Sequence, residues 1–116
     1  RKYGHIVVIS SIGGRTGREV GVYYAATKAG INGLVINLGY ALGPWNITVN
    51  SVAPGPLKGK MFSTMSQERI DTRSAGIRIP RLGELSDVAA AVAYLGSDAA
   101  AWTTGEVLDV NGGLQY

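Results

Sequence analysis

Tyr24 and Lys28 stand four residues apart in Tyr24-Ala25-Ala26-Thr27-Lys28, a stretch that reads as the first turns of a helix. At about 100° per residue such a pair lies on one face, so a phenol and an ammonium can meet the same ligand. Tyr23 is five residues from Lys28, roughly 140° round the same helix, and cannot share that face equally well. A cation beside a phenol favours the phenolate, and a phenol so placed can pass a proton to or from an alcohol oxygen near neutral pH. From these two residues alone, an exposed pair on a helix surface is the reading that starts ahead. The surrounding chain has to decide between them.

The chain has 116 residues, 46% of them hydrophobic and 16% charged, the balance of one globular domain rather than a disordered segment. Its net charge of +3 is spread over eleven basic and eight acidic residues, and no basic run exceeds Arg1-Lys2. No nucleic-acid stripe or membrane patch stands out, and the expected partners are small molecules. There is no cysteine, which excludes disulfides, thiolate nucleophiles and cysteine zinc sites and suits a cytoplasmic location. No set of metal ligands is read, and no apolar run approaches the roughly 18 residues of a membrane span. The chain opens at Arg1, directly before a strand, the start expected of an incomplete protein.

The elements that must position Tyr24 and Lys28 follow from hydrophobic pattern. His5-Ile6-Val7-Val8-Ile9-Ser10 is a β-branched run expected to form a strand buried on both faces of a parallel sheet. Ser11 to Gly21 holds four glycines and reads as a loop. From Tyr23 to Leu42 the apolar residues Ile31, Leu34, Val35, Leu38 and Leu42 recur at helical spacing, and Gly30, Gly33 and Gly39 suggest close contact with another backbone. Ile47 to Val52 is a second strand, expected to stop at Ala53-Pro54-Gly55-Pro56 because two prolines forbid further pairing. Leu57 to Pro80 has no dominant period and reads as short helices or a flap. Ser86 is the expected cap of a helix from Asp87 to Leu95 with Val88, Val92 and Leu95 buried, and Glu106 to Val110 is the last strand. The order β-α-β-α-β makes an α/β chain with a right-handed crossover. Three strands cannot shield a first strand that is apolar on both faces, so further strands are expected beside it.

Ser10-Ser11-x-x-Gly14-x-x-Gly17, Tyr24-x-x-x-Lys28-Ala29-Gly30, Ile47-x-Val49-Asn50-x-Val52-x-Pro54-Gly55 and Thr104-Gly105-x-x-Leu108-x-Val110-Asn111-Gly112-Gly113 occur together, in that order. The set resembles the second half of a compact short-chain dehydrogenase/reductase, similar to 3-oxoacyl-carrier-protein reductases. The resemblance implies a doubly wound, Rossmann-like parallel sheet, of which residues 1–116 form the C-terminal part, the N-terminal dinucleotide-binding part being absent. It implies an oxidoreductase using NAD or NADP to interconvert a secondary alcohol and a ketone, and a homotetramer. Position by position it implies Tyr24 as catalytic acid/base, Lys28 as the lysine that supports it and binds the nicotinamide ribose, and Ser11 as the serine that holds the substrate oxygen. Pro54 and Gly55 match the turn beside the nicotinamide, with the backbone of Leu57 near its carboxamide. At the fourth position after Gly55, where the family often has Thr, this chain has Gly59, followed by Lys60.

Several residues carry two readings. Ser10, beside Ser11, is an ordinary strand-end residue that could be the one pointing inward. Pro54-Gly55 suits a cofactor contact and a strand terminator alike, while Gly14 and Gly17 read as backbone necessities. His5, the only histidine, has no acidic neighbour in sequence. Trp45 and Trp102 read as packing or interface anchors, and Met61, Phe62 and Met65 as either pocket lining or a half-buried lid. Ala26, Gly30 and Gly33 would permit close helix contacts in an oligomer. The competing function is a degenerate family member acting as a non-catalytic oligomerisation or binding module.

Overall fold

The computed structural model describes residues 2–17 and 20–114, Met61 by its backbone alone. Three strands, β1 (Gly4–Ile9), β2 (Ile47–Pro54) and β3 (Val107–Val110), form a parallel sheet in the order β1-β2-β3. β1 and β2 register Gly4 on Ile47 through Ile9 on Val52, and β2 and β3 register Ser51 on Val107 through Pro54 on Val110. Parallel neighbours need a crossover, and the long helix α2 (Val22–Leu42) supplies it between β1 and β2. Between Ser11 and Gly21, expected as loop, the residues Gly13–Thr16 form a one-turn helix, α1, closed by Gly17 at a φ of 67°. After β2 come two short helices, α3 (Lys60–Ser63) and α4 (Gln67–Ser74), then α5 (Leu85–Leu95). This is the α/β order expected from the pattern, in the Rossmann-like form that the resemblance implies.

β2 is the central strand, and its side chains from Thr48 to Ala53 are all buried. On one face Val52 forms the core with Leu95 and Ala100, flanked by Val88, Ala91 and Val92 of α5 and by Val7, Leu108 and Val110. Strand alternation leaves Val49, Ser51 and Ala53 to the face that α2 covers. Within this core Asn50 is fully buried yet satisfied, its Nδ2 donating to the Thr103 carbonyl at 2.8 Å and its Oδ1 accepting from the Glu106 N–H at 3.0 Å. The side chain thereby holds the turn that leads into β3.

Burial of β1 on both faces is not what the chain shows. Ile6 is 44% and Ile9 46% exposed, because β1 has a strand partner on one side only and both long helices lie over β2. The proline expectation also needs correction: β2 continues through Pro54. Proline lacks an N–H, but its carbonyl still accepts from the Ile12 N–H at 3.0 Å, and Gly55 N–H donates to Val110 at 2.9 Å.

α2 buries Asn32, Val35 and Gly39, with Ile31, Leu38 and Leu42 half-buried, whereas Leu34, expected in the stripe, is exposed. Gly39 is the position where close approach is real. A methyl group there would run into the Gly105 backbone, and Thr104 Oγ1 seals the contact by donating to the Gly39 carbonyl at 3.2 Å. Gly30 and Gly33, for which the same contact was expected, face open space.

α5 begins at Leu85 with Glu84 as its cap, two residues before the expected Ser86. The deciding group is Asp87, whose Oδ2 accepts the Glu84 N–H at 2.7 Å in a reciprocal capping box. Arg81 then grips the same carboxylate at 2.7 and 3.1 Å. The Arg81 guanidinium, helped by the Glu84 N–H, holds the Asp87 carboxyl down at about 2, from an ordinary 3.8. A carboxyl depressed on folding stabilises the folded chain above its ordinary value and loses that contribution as pH falls through the folded one. Acid titration from 3.8 to about 2 is therefore expected to loosen the start of α5, and Asp87→Asn to remove that pH dependence. Thermal midpoints measured across this range check it, and identical acid profiles for the two proteins would refute it.

Two smaller expectations change with the fold. His5 lies inside β1 and does have an acidic neighbour, since Asp98, distant in sequence, stands 3.2 Å from its Nε2 while Thr48 Oγ1 holds Nδ1 at 2.8 Å. Trp102 is fully exposed and Trp45 half-exposed, so neither is an anchor packed within this chain. No described helix is long and apolar enough to cross a membrane.

Candidate active site

A cleft of about 490 Å³ opens at the carboxyl ends of β1 and β2. Ser11, Tyr24, Pro54, Gly55 and Leu57, singled out from sequence, all line it. Lys28 stands behind Tyr24, its Nζ 5.7 Å from the centre of the Tyr24 ring. The phenol is 44% exposed, so the pair neither diverges nor sinks into a dry interior. A cation at that distance over an aromatic face is itself favourable.

The small helix α1 explains why the pair sits where it does. A side chain at Gly14 would collide with Lys28, whose backbone carbon lies 2.7 Å from where a methyl would be. Gly13 similarly leaves room for Tyr24 Cε1 at 3.3 Å. The two glycines let α1 press against the first turns of α2, which brings the tyrosine to the serine at the end of β1. This agrees with reading Gly14 and Gly17 as backbone necessities, and it adds Gly13 to them.

Ser10 and Ser11, adjacent at the end of β1, separate here. Ser10 is buried and its hydroxyl points at the Lys28 carbonyl, 3.4 Å away, tying the end of β1 to α2. Ser11 is half-buried, and its Oγ accepts the Gly13 N–H at 3.1 Å. An oxygen held as an acceptor leaves its own proton to donate. Ser11 is thus oriented to hydrogen-bond an oxygen in the cleft.

Leu57 forms a single parallel bridge with Gly83, in which Gly83 N–H donates to Pro56 at 3.0 Å and Lys58 N–H donates to Gly83 at 2.8 Å. In such a bridge the N–H and C=O of Leu57 itself turn away from Gly83, and among the described residues neither has a partner. An unpaired donor and acceptor on the same cleft-lining residue match a carboxamide, which offers one acceptor and two donors. The residues present therefore fit the nicotinamide end of a dinucleotide. Gly59, extended and exposed, contributes no hydroxyl there.

The bridge also closes the neck of the flap. Within it α3 carries Phe62, buried and lining the cleft, so the pocket reading holds for Phe62. Met65 is half-buried without lining the cleft, and the Met61 side chain lies outside the described residues. Sequence reasoning missed Val20, Lys58, Lys60, Arg73 and Leu85, which also line it. No periodicity marks them, because they arrive from four segments joined only by the tertiary fold.

Chemically, the cleft offers a proton donor or acceptor with a cation at its back, a serine hydroxyl, and a free amide pair. Among the described residues no group of three or more His, Cys, Asp or Glu could hold a metal ion.

The chain is similar to known proteins along nearly its whole length. A family model described as enoyl-(acyl carrier protein) reductase matches residues 1–115. Nodulation protein G of Rhizobium sp. (strain N33) is 40% identical over 114 residues, 98% of this chain and 46% of that protein. The 3-oxoacyl-[acyl-carrier-protein] reductase FabG of Aquifex aeolicus is also 40% identical over 114 residues, with the same coverage. Among solved structures, a 3-oxoacyl-[acyl-carrier protein] reductase from Brucella melitensis superposes with a TM-score of 0.93 at 36% identity, over 97% of this chain and 42% of that one. A second reductase from that organism, with bound NAD, gives 0.86 at 35% identity, over 97% of this chain and 41% of the other. The chain thus spans about half the length of the curated relatives it matches.

Proposed function

Since this chain belongs to the short-chain dehydrogenase/reductase family, we propose that it carries the catalytic centre of an NAD- or NADP-dependent oxidoreductase that interconverts a secondary alcohol and a ketone. The observation that supports this most is the convergence of Ser11, Tyr24 and the unpaired Leu57 amide on one cleft, with Lys28 behind the phenol. A bound nicotinamide supplies the hydride. Tyr24 gives a proton to the substrate oxygen in reduction and takes it in oxidation, Ser11 holds that oxygen, and Lys28 places its charge beside the Tyr24 ring. Leu57 fixes the carboxamide, and Pro54 and Gly55 form the wall beside the ring. Positioning supplies the rest of the rate, since two bound reactants in the right geometry avoid the entropic cost of meeting.

The strand that continues the sheet takes the open edge of β1, where Ile6 and Ile9 await cover, and the dinucleotide's remaining groups lie on that side. The exposed face of α2, with Ala26, Gly30 and Gly33, forms the contact of a homo-oligomer, a tetramer in this reading, in the cytoplasm. The relatives named as 3-oxoacyl-carrier-protein reductases make 3-oxoacyl thioesters the first substrates to try. The test is oxidation of NADH and of NADPH by the full-length protein that carries this chain, screened against 3-oxoacyl thioesters and simple ketones. Substrate-dependent loss of absorbance with either nucleotide is expected. A protein that binds the nucleotides and turns over no carbonyl substrate would point to the non-catalytic module instead.

A further inference from the structure

We propose that Lys60 and Arg73 form an anion-binding rim on this cleft, selecting substrates that carry a carboxylate or phosphate on the arm away from the ketone. The proposal rests on the oxidoreductase reading and names the substrate class for it. Lys58, Lys60 and Arg73 line the cleft, and among the described residues no carboxylate does. Lys58 is neutralised by Glu84, 2.7 Å from its Nζ. Lys60 and Arg73 have no carboxylate partner among the described residues, although Arg73 is half-buried. A guanidinium that gives up hydration without a partner is costly, and an anion entering the cleft restores what it lacks.

The two cations come from different helices of the flap, α3 and α4, and the Leu57–Gly83 bridge joins the two ends of that flap. The flap therefore carries charge toward the cleft on which Ser11 and Tyr24 also open. A substrate held by its carbonyl at Ser11 and Tyr24 and by a distal anion at the rim is fixed at two points, which orients the carbonyl carbon.

The test is calorimetric binding to the full-length protein, with two probe pairs that differ in charge. Acetoacetyl-CoA is set against the neutral acetoacetyl-N-acetylcysteamine thioester, and levulinate against methyl levulinate. At least one anionic probe is expected to bind about tenfold tighter than its neutral partner. The Lys60→Gln/Arg73→Gln double variant should erase that preference and leave the neutral Kd unchanged, while Arg73→Lys retains it. Four results each overturn the proposal: no preference in the unmodified protein, a preference that survives the double variant, equal weakening of charged and neutral probes, or weakened NADPH binding with the anionic probes unaffected. The last would assign the cations to the dinucleotide phosphates. Absent turnover with the charge preference intact would sink the oxidoreductase reading and leave the anion rim standing.

Discussion

Tyr24→Phe is expected to lower kcat of the full-length protein by about 10²–10⁴-fold, the usual worth of a positioned proton donor, with nucleotide affinity nearly unchanged. The ring remains, so the Lys28 ammonium keeps its aromatic neighbour and Gly13 keeps the side chain it accommodates. Only the hydroxyl proposed to exchange a proton with the substrate oxygen is lost. An interaction made in the transition state lowers kcat and kcat/KM together, and that pattern in steady-state kinetics is the signature to look for. Lys28→Ala should differ by weakening nucleotide binding as well, because in the proposed roles the ammonium serves the phenol and the ribose together. Activity surviving Tyr24→Phe would take the phenol out of the mechanism. Tyr23, 89% exposed and absent from the cleft lining, offers no substitute.

The largest stability effect is expected from Leu95→Ala, about 2–5 kcal/mol. Leu95 is 1% exposed and meets Val52 and Ala100, each fully buried, at the centre of the face between α5 and the sheet. Removing its branched end leaves a cavity bounded by a strand and a helix, both already fixed by their own hydrogen bonds, so little can collapse into the space. Val88→Ala, at a half-buried position in the same stripe, should cost less and serves as the internal control. Urea unfolding monitored by far-ultraviolet circular dichroism measures both, and a Leu95→Ala cost no larger than that of Val88→Ala would contradict this account of the core. The second variant matters because α5 also begins at the Asp87 cap, and a general weakening of the helix would affect the two alike.

Much of this was legible in the chain itself. The order of strands and helices, the span of the crossover helix, the buried stripe of α5 and the pairing of Tyr24 with Lys28 follow from local periodicity, because helices and strands impose fixed repeats on neighbours in sequence. The unlike fates of Ser10 and Ser11 did not follow. Both end a strand, and only the approach of the Lys28 carbonyl and the Gly13 amide distinguishes them. His5 shows the same limit, its acidic partner Asp98 lying 93 positions away.

What residue types and spacing determined by themselves was the α/β character, the crossover between two parallel strands, and a phenol and an ammonium on one helical face. The tertiary structure alone decided that the serine and the unpaired Leu57 amide share a cleft with that phenol, that two flap cations without a described carboxylate partner border it, and that Gly39 rather than Gly30 or Gly33 meets another backbone. The reason is reach: a repeat of two or 3.6 residues orients side chains within one element, whereas a site is made where elements from distant parts of the chain meet.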